Sequence, residues 1–244
     1  MAFGKAEALP FREGAVADVG VEERAAFLLR TYAHLAGAVF FWVFFMVLIE
    51  LALPTATKER LLVGMLGGIS WLVVLGAFML VSFVANRWAM SDASVGLQYL
   101  GLGLYAAAEA VITWPLVHLA AFYAKDPNVL PAAAGLTLAM FAGLTTVVFV
   151  TRKDFSFLRG VLGVAGLAAL GLIVASIVFG FTLGIVFTVA MIGLMCGYIL
   201  YYTSNVLHYY RPNQHVAAAL ALFAALATLF WYVLQLLMSL QSRD

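Results

Sequence analysis

Seven times along this chain apolar residues run on without alternation for about the 20 positions that a bilayer's hydrocarbon core requires of a helix. The runs are Thr31–Leu53, Leu61–Ala85, Val95–Tyr123, Val129–Thr151, Gly160–Phe179, Thr182–Val206 and Val216–Leu240. The first two contain no Lys or Arg, and their only acid is Glu50. Period-two patterning, the mark of a membrane β-barrel, is absent. Backbone N–H and C=O groups in lipid must pair within their own segment, so runs of this kind have to be helices. The pattern predicts an all-α polytopic membrane protein of seven transmembrane helices. Trp114-Pro115 interrupts the third run near its end, and only Gly180, Phe181 and Thr182 separate the fifth from the sixth. That short break leaves open a full hairpin or a re-entrant turn.

Composition agrees with the pattern. With 65% hydrophobic and 10% charged residues, the chain has no material for the polar shell of a soluble domain. Residues 1–29 read as a polar cytoplasmic arm, 30–240 as the transmembrane domain and 241–244 as a short tail. The arm lacks the apolar core and cleavage site of a signal peptide, and reads as a partly ordered segment or a short interfacial helix ending at Arg30. Of the 13 Lys and Arg, a cytoplasmic N-terminus puts Lys5, Arg12, Arg24, Arg30, Arg87, Arg152, Lys153, Arg159 and Arg211 inside. Lys58, Arg60, Lys125 and Arg243 then lie outside, which favours N-terminus in and, with an odd number of spans, C-terminus out. A formal net charge of +1 gives no footprint for nucleic acid. Cys196 is alone and forms no intrachain disulfide.

Small residues mark contact faces between membrane helices. Gly64 with Gly68, Gly180 with Gly184 and Gly193 with Gly197 stand four apart, and Gly160, Gly163, Gly166 and Gly171 follow one another on the fifth span. These faces read as packing within one bundle, or as a homo-oligomer contact. Small residues recur along the whole sixth span, which makes it the expected central helix. No internal repeat of the transporter kind is found.

Ionisable residues at membrane depth are costly and point to function. Glu109 lies roughly 20 Å along the third span at about 1.5 Å per residue. It reads either as a titratable or cation-attracting group in an outward-opening pocket, or as a neutral acid hydrogen-bonded to a neighbouring helix. Glu50, before Pro54, reads as an interfacial residue reaching water, and His34, one turn after Arg30, as a structural hydrogen-bonder or a titrating group. His118, His208 and His215 fall near helix ends, and Trp114, Tyr123, Tyr209 and Tyr210 fit an interfacial aromatic belt. No metal-ligand spacing, hydrolase elbow or nucleophile–base pair is present, so no metal, cofactor or catalytic residue is assigned.

The loop Phe149-Val150-Thr151-Arg152-Lys153-Asp154-Phe155-Ser156-Phe157-Leu158 resembles the T-x-K-D-F-S-x-L signature of the transmembrane Bax inhibitor motif family. Arg30-Thr31-Tyr32, Gly197-Tyr198-Ile199-Leu200-Tyr201-Tyr202-Thr203 and Ala218-Ala219-Leu220-Ala221-Leu222-Phe223 resemble its first, sixth and seventh spans. The resemblance implies seven helices with one at the centre, no enzymatic activity and, for bacterial relatives, the inner membrane. It implies either a pH-sensitive calcium leak or the restraint of a membrane-anchored AAA protease. Leak-competent relatives close the cytoplasmic side with two hydrogen-bonded aspartates; here those positions carry Tyr202 and Ala225. A phenol, with a pKa of about 10 in water, and a methyl offer nothing that titrates near neutral pH. The expected role is therefore an interaction or regulatory subunit of a membrane complex, in contact with lipid and a membrane-protein partner. The alternative is a Ca²⁺ or proton leak through Glu109. Arg152 and Lys153 read as interfacial anchors, Asp154 as a cap for the helix after Phe155.

Overall fold

The structure, a computed structural model, describes residues 14–66, 68–92 and 94–241. Expectations for residues 1–13 and 242–244 fall outside these. Among the described residues eight helices follow one another: α1 (Val21–Ala52), α2 (Thr55–Leu66), α3 (Gly68–Ala89), α4 (Val95–Tyr123), α5 (Val129–Thr151), α6 (Leu158–Phe179), α7 (Gly184–His208) and α8 (His215–Gln241). Two 3-10 turns, Val16–Asp18 and Pro212–Gln214, precede α1 and α8. All but α2 are long and apolar enough to cross a membrane, which gives seven candidate spans among the described residues.

The second apolar run is the place where pattern and structure part. Its first residues belong to α2, and the spanning helix starts afresh at Gly68, whose φ of 45° lies in the left-handed region. A glycine adopts that conformation without the Cβ penalty of other residues. Helix α2 carries Lys58, Glu59 and Arg60 and is mostly exposed, so it is a separate surface helix. The first helix departs in the other direction. It runs unbroken through Arg30 from Val21, with Glu22 and Glu23 in the first turn, where carboxylates oppose the helix dipole. No helix ends at Arg30. Pro115 lies inside a continuous α4, so the Trp114-Pro115 pair does not end that span. Between α6 and α7 the chain makes a complete hairpin, with Gly180 and Gly184 at φ of 71° and 67°.

The central helix is α8, the seventh span, and not the sixth. Of the most apolar window of α8, 78% is buried, against 56% for α4 and 22% for α7. Its composition supplies the reason. Ala217, Ala218, Ala219, Ala225 and Ala227 are all buried, so short side chains around the helix let α1, α4, α5 and α7 approach together. Larger side chains interlock between them: Trp42 of α1 packs edge-on to Phe223 at 6.0 Å and to Phe230 at 5.4 Å, and Tyr105 of α4 meets Phe223 at 6.0 Å. Helices α3 and α6 show exposed apolar residues such as Val73, Phe83, Val164 and Leu167, as lipid-facing helices must.

The glycine spacings mark turns more often than contacts. A Cβ added at Gly64, Gly160, Gly163, Gly171 or Gly193 would meet nothing within 4 Å, and Gly68, Gly180 and Gly184 are turn residues. Only Gly166, beside the Tyr198 hydroxyl, and Gly197, against Leu162, make close approaches among those singled out by spacing. Among the described glycines the tightest approach is at Gly101, where a Cβ would stand 2.5 Å from the Ala85 carbonyl oxygen.

Candidate functional site

Glu109 stands midway along α4 and is 5% exposed. Lys, Arg or His within ion-pair reach of it is absent among the described residues, whose ion pairs involve Glu50 and Asp92 alone. The Thr113 side chain lies one turn on, close to the carboxyl. Glu109 lines a partly open cavity of about 820 Å³, with walls from α3, α4, α6, α7 and α8. The cavity lies toward the end of the bundle where α3 and α7 begin and α8 finishes, with Gly68, Phe181 and Ser239 at its rim. Trp71 and Trp231 stack there at 5.9 Å, and Phe78, Tyr232, Thr228 and Gln235 contribute further walls. An acid, hydroxyls and an amide thus converge on an otherwise apolar and aromatic space.

At the other end of the bundle aromatic and apolar groups pack together. Tyr202 of α7 stacks on Tyr198 at 5.6 Å and lies against Tyr201 at 5.3 Å. It packs on the buried cluster that contains Ala225, which is 3% exposed in α8. Beneath them the turn before α1 is docked: the Val16 N–H donates to the Tyr210 carbonyl oxygen at 2.8 Å, and the Val16 side chain is fully buried. Arg24 reaches the Leu207 carbonyl at 3.4 Å. Burial there pushes the Tyr210 phenol above its ordinary pKa.

The signature loop is joined to the same end. Arg152 ends α5 in the left-handed conformation at φ 50°, and its N–H donates to the Val148 carbonyl at 2.8 Å. This reversal turns Asp154 and Phe155 toward α7. The Phe155 N–H donates to Ser204 Oγ at 2.9 Å, and the Tyr209 hydroxyl donates to Asp154 Oδ2. Asp154 Oδ1 accepts from the Ser156 N–H at 2.8 Å, which shapes the turn ahead of α6. The N-cap of α6 is Phe157, so Asp154 sets the loop without occupying the cap. Arg152 and Lys153 are exposed.

Glu50 is not a free interfacial acid. Its Oε1 takes Lys58 of α2 at 2.6 Å, and Oε2 accepts from the Trp114 indole N–H at 3.0 Å and meets His118 Nδ1 at 2.8 Å. Trp114 is therefore a buried partner of Glu50, 2% exposed, and no part of an aromatic belt. His34 forms a second, separate group. Its Nδ1 donates to the Arg30 carbonyl oxygen at 2.6 Å, and its Nε2 pairs with the Tyr99 hydroxyl at 3.0 Å. The His215 ring lies 4.9 Å away. Neither Glu50 nor His34 lines the Glu109 cavity. Among the described residues no three of His, Cys, Asp and Glu converge as a metal site would require.

A profile of the family described as "Inhibitor of apoptosis-promoting Bax1" matches residues 24–243. Bax inhibitor 1 of Schizosaccharomyces pombe is 31% identical over 179 residues, which are 71% of this chain and 64% of that protein. The Golgi anti-apoptotic protein of vaccinia virus (strain Lister) is 32% identical over 127 residues, 50% of this chain and 51% of its own length. A membrane protein of Vibrio cholerae is 25% identical over 193 residues, covering 78% of this chain and 83% of that one. The matched stretch thus spans less than two thirds of the first two relatives.

Proposed function

Because the chain belongs to the Bax inhibitor family, a family of multi-pass membrane proteins, we propose that it acts without catalysis, as a regulatory subunit that binds another membrane protein. The natural setting for this role is a bacterial inner membrane with the N-terminus cytoplasmic, which the distribution of Lys and Arg supports. A membrane-anchored AAA protease is the partner class that the family resemblance brings forward. One observation carries the reading: the two latch positions hold Tyr202 and Ala225, packed among aromatic and apolar groups. A titrating latch needs two acids near enough to share a proton, and this end offers a phenol and a methyl in their place. A rigid bundle of this kind keeps its surface for binding without opening a path.

The test is purification in mild detergent after crosslinking in native membranes. A membrane-protein partner at fixed stoichiometry is expected; a monodisperse monomer with no crosslinked partner overturns the proposal.

A second reading has its own observation, the unpaired Glu109 facing a cavity of about 820 Å³. In it, Glu109 serves a Ca²⁺ or proton leak. Dye-loaded liposomes decide: equal flux for the wild type and Glu109→Gln across the range from about pH 5 to about pH 8, on either side of neutrality, ends this reading.

A further inference from the structure

The cavity around Glu109 joins two features that inorganic ions use poorly. It supplies one carboxylate, at 5% exposure and without a cationic partner among the described residues, where calcium calls for six or more oxygens. Its lining also includes the aromatic side chains of Trp71, Phe78, Trp231 and Tyr232, along a volume of about 820 Å³. That volume falls in the range of small-molecule sites, about 300–1,000 Å³. A bare metal ion would leave most of it to water against apolar walls. A weakly hydrated organic cation would fill it: the ring quadrupoles attract the charge, the carboxylate neutralises it and the apolar substituents take up the remaining space.

We propose that this cavity is a binding site for a substituted ammonium ion, with Glu109 as counter-ion and Trp71, Trp231 and Tyr232 as the aromatic walls. The ammonium group could be supplied by a free organic cation or by a lipid headgroup, since both present the same chemistry. This inference needs neither reading above, because it concerns equilibrium binding, which requires no partner protein and no flux.

The experiment uses the full chain in maltoside micelles, which contain no ammonium group. Intrinsic tryptophan fluorescence is titrated with benzyltrimethylammonium and with its uncharged isostere neopentylbenzene. A saturable change is expected with the cation and not with the isostere, because Trp71 and Trp231 report from the cavity wall. Glu109→Gln, which keeps the shape of the side chain, is expected to weaken binding by roughly tenfold or more. Trp231→Phe, still aromatic, is expected to weaken it less than Trp231→Leu, which separates ring attraction from simple filling. Dodecylphosphocholine, carrying the same quaternary ammonium on a lipid-like tail, then distinguishes the sources: competition assigns the site to a headgroup, and its absence assigns it to a free cation. Absence of saturable cation binding by the wild type, equal binding of the isostere, or unchanged affinity in a folded Glu109→Gln protein each overturns the proposal.

Discussion

Tyr209, at the end of α7, donates its hydroxyl to the carboxylate of Asp154, in the loop between α5 and α6. With the Phe155 N–H on Ser204, this contact ties the family's signature loop to the helix that carries Tyr202. The bond also sets the acid's titration. Burial alone would raise the Asp154 carboxyl; the hydrogen bonds from Tyr209 and Ser156, with His208 nearby, outweigh it and hold the pKa below its ordinary value.

A carboxyl lowered in the folded state adds stability above its unfolded pKa, about 3.9, and loses it as pH falls through the folded value. Asp154→Asn is therefore expected to lower stability at neutral pH by about 1 kcal/mol, a modest figure because the loop is solvent-exposed and screened. Thermal unfolding in detergent measures it. The gap between wild type and variant should shrink below about pH 4, and a gap unchanged at lower pH refutes the linkage.

Gly101 governs how closely α3 and α4 approach. A Cβ there would lie 2.5 Å from the Ala85 carbonyl oxygen and 2.7 Å from the Ala89 nitrogen, both backbone atoms that can move only with α3. Gly101→Ala is expected to cost about 1–3 kcal/mol, the range for overpacking a tight contact. Gly197→Ala meets a flexible atom, Leu162 Cδ2 at 2.8 Å, and should cost less. Gly193→Ala, with nothing within 4 Å, should be close to neutral. The order of the three melting temperatures is the check; a neutral Gly101→Ala contradicts the packing described.

Glu50 holds α2 against α1 and α4. Removing its charge leaves Lys58 unpaired at a site where its side chain is 15% exposed, and takes acceptors from Trp114 and His118. Glu50→Ala is expected to cost about 2–4 kcal/mol, near the range for a partly buried pair broken on one side. Hydrogen exchange should speed up through Thr55–Leu66 first. Adding Lys58→Met should recover part of the loss, and a strictly additive double variant would show that the pair is not coupled.

How much of this was legible before the structure depends on sequence distance. The spanning helices were, because each is specified by its own run of residues; α4 and α5 keep the bounds that hydropathy gives them. The break at Gly68 was not, because the run continues through it and only a backbone φ reveals the turn. Centrality was misleading for a physical reason. Small residues recurring on α7 describe one face, whereas α8 is short-chained on many sides and is packed on many sides. Glu109 was visible as an acid without a nearby base, but its aromatic walls come from α3 and α8, far away in the chain. The partners of Glu50 were hidden likewise: Trp114 and His118 follow it by 64 and 68 residues, and nothing local links them. Gly101 carries no spacing signal at all, since its crowding comes from Ala85 and Ala89 on another helix.

The proposed loss of pH gating can be run in reverse. If a titrating latch is what Tyr202 and Ala225 lack, two acids at those positions should create one. Carboxyls close enough to share a proton ionise in two separated steps, so the shared-proton form holds and the doubly charged form repels itself. Tyr202→Asp combined with Ala225→Asp is thus expected to give Ca²⁺ flux into dye-loaded liposomes that rises as pH is raised. The wild type and each single variant should show no such dependence, because one acid has no partner to share with. Tyr202→Asn with Ala225→Asn controls for the polar change and the lost ring volume, since it introduces amides of similar shape that do not titrate. A pH-dependent flux in the amide pair would mean that loosened packing opens the end, whatever the charge. A wild type whose own flux changes with pH would show that gating persists without the aspartates, and the regulatory reading would then lose the observation on which it stands.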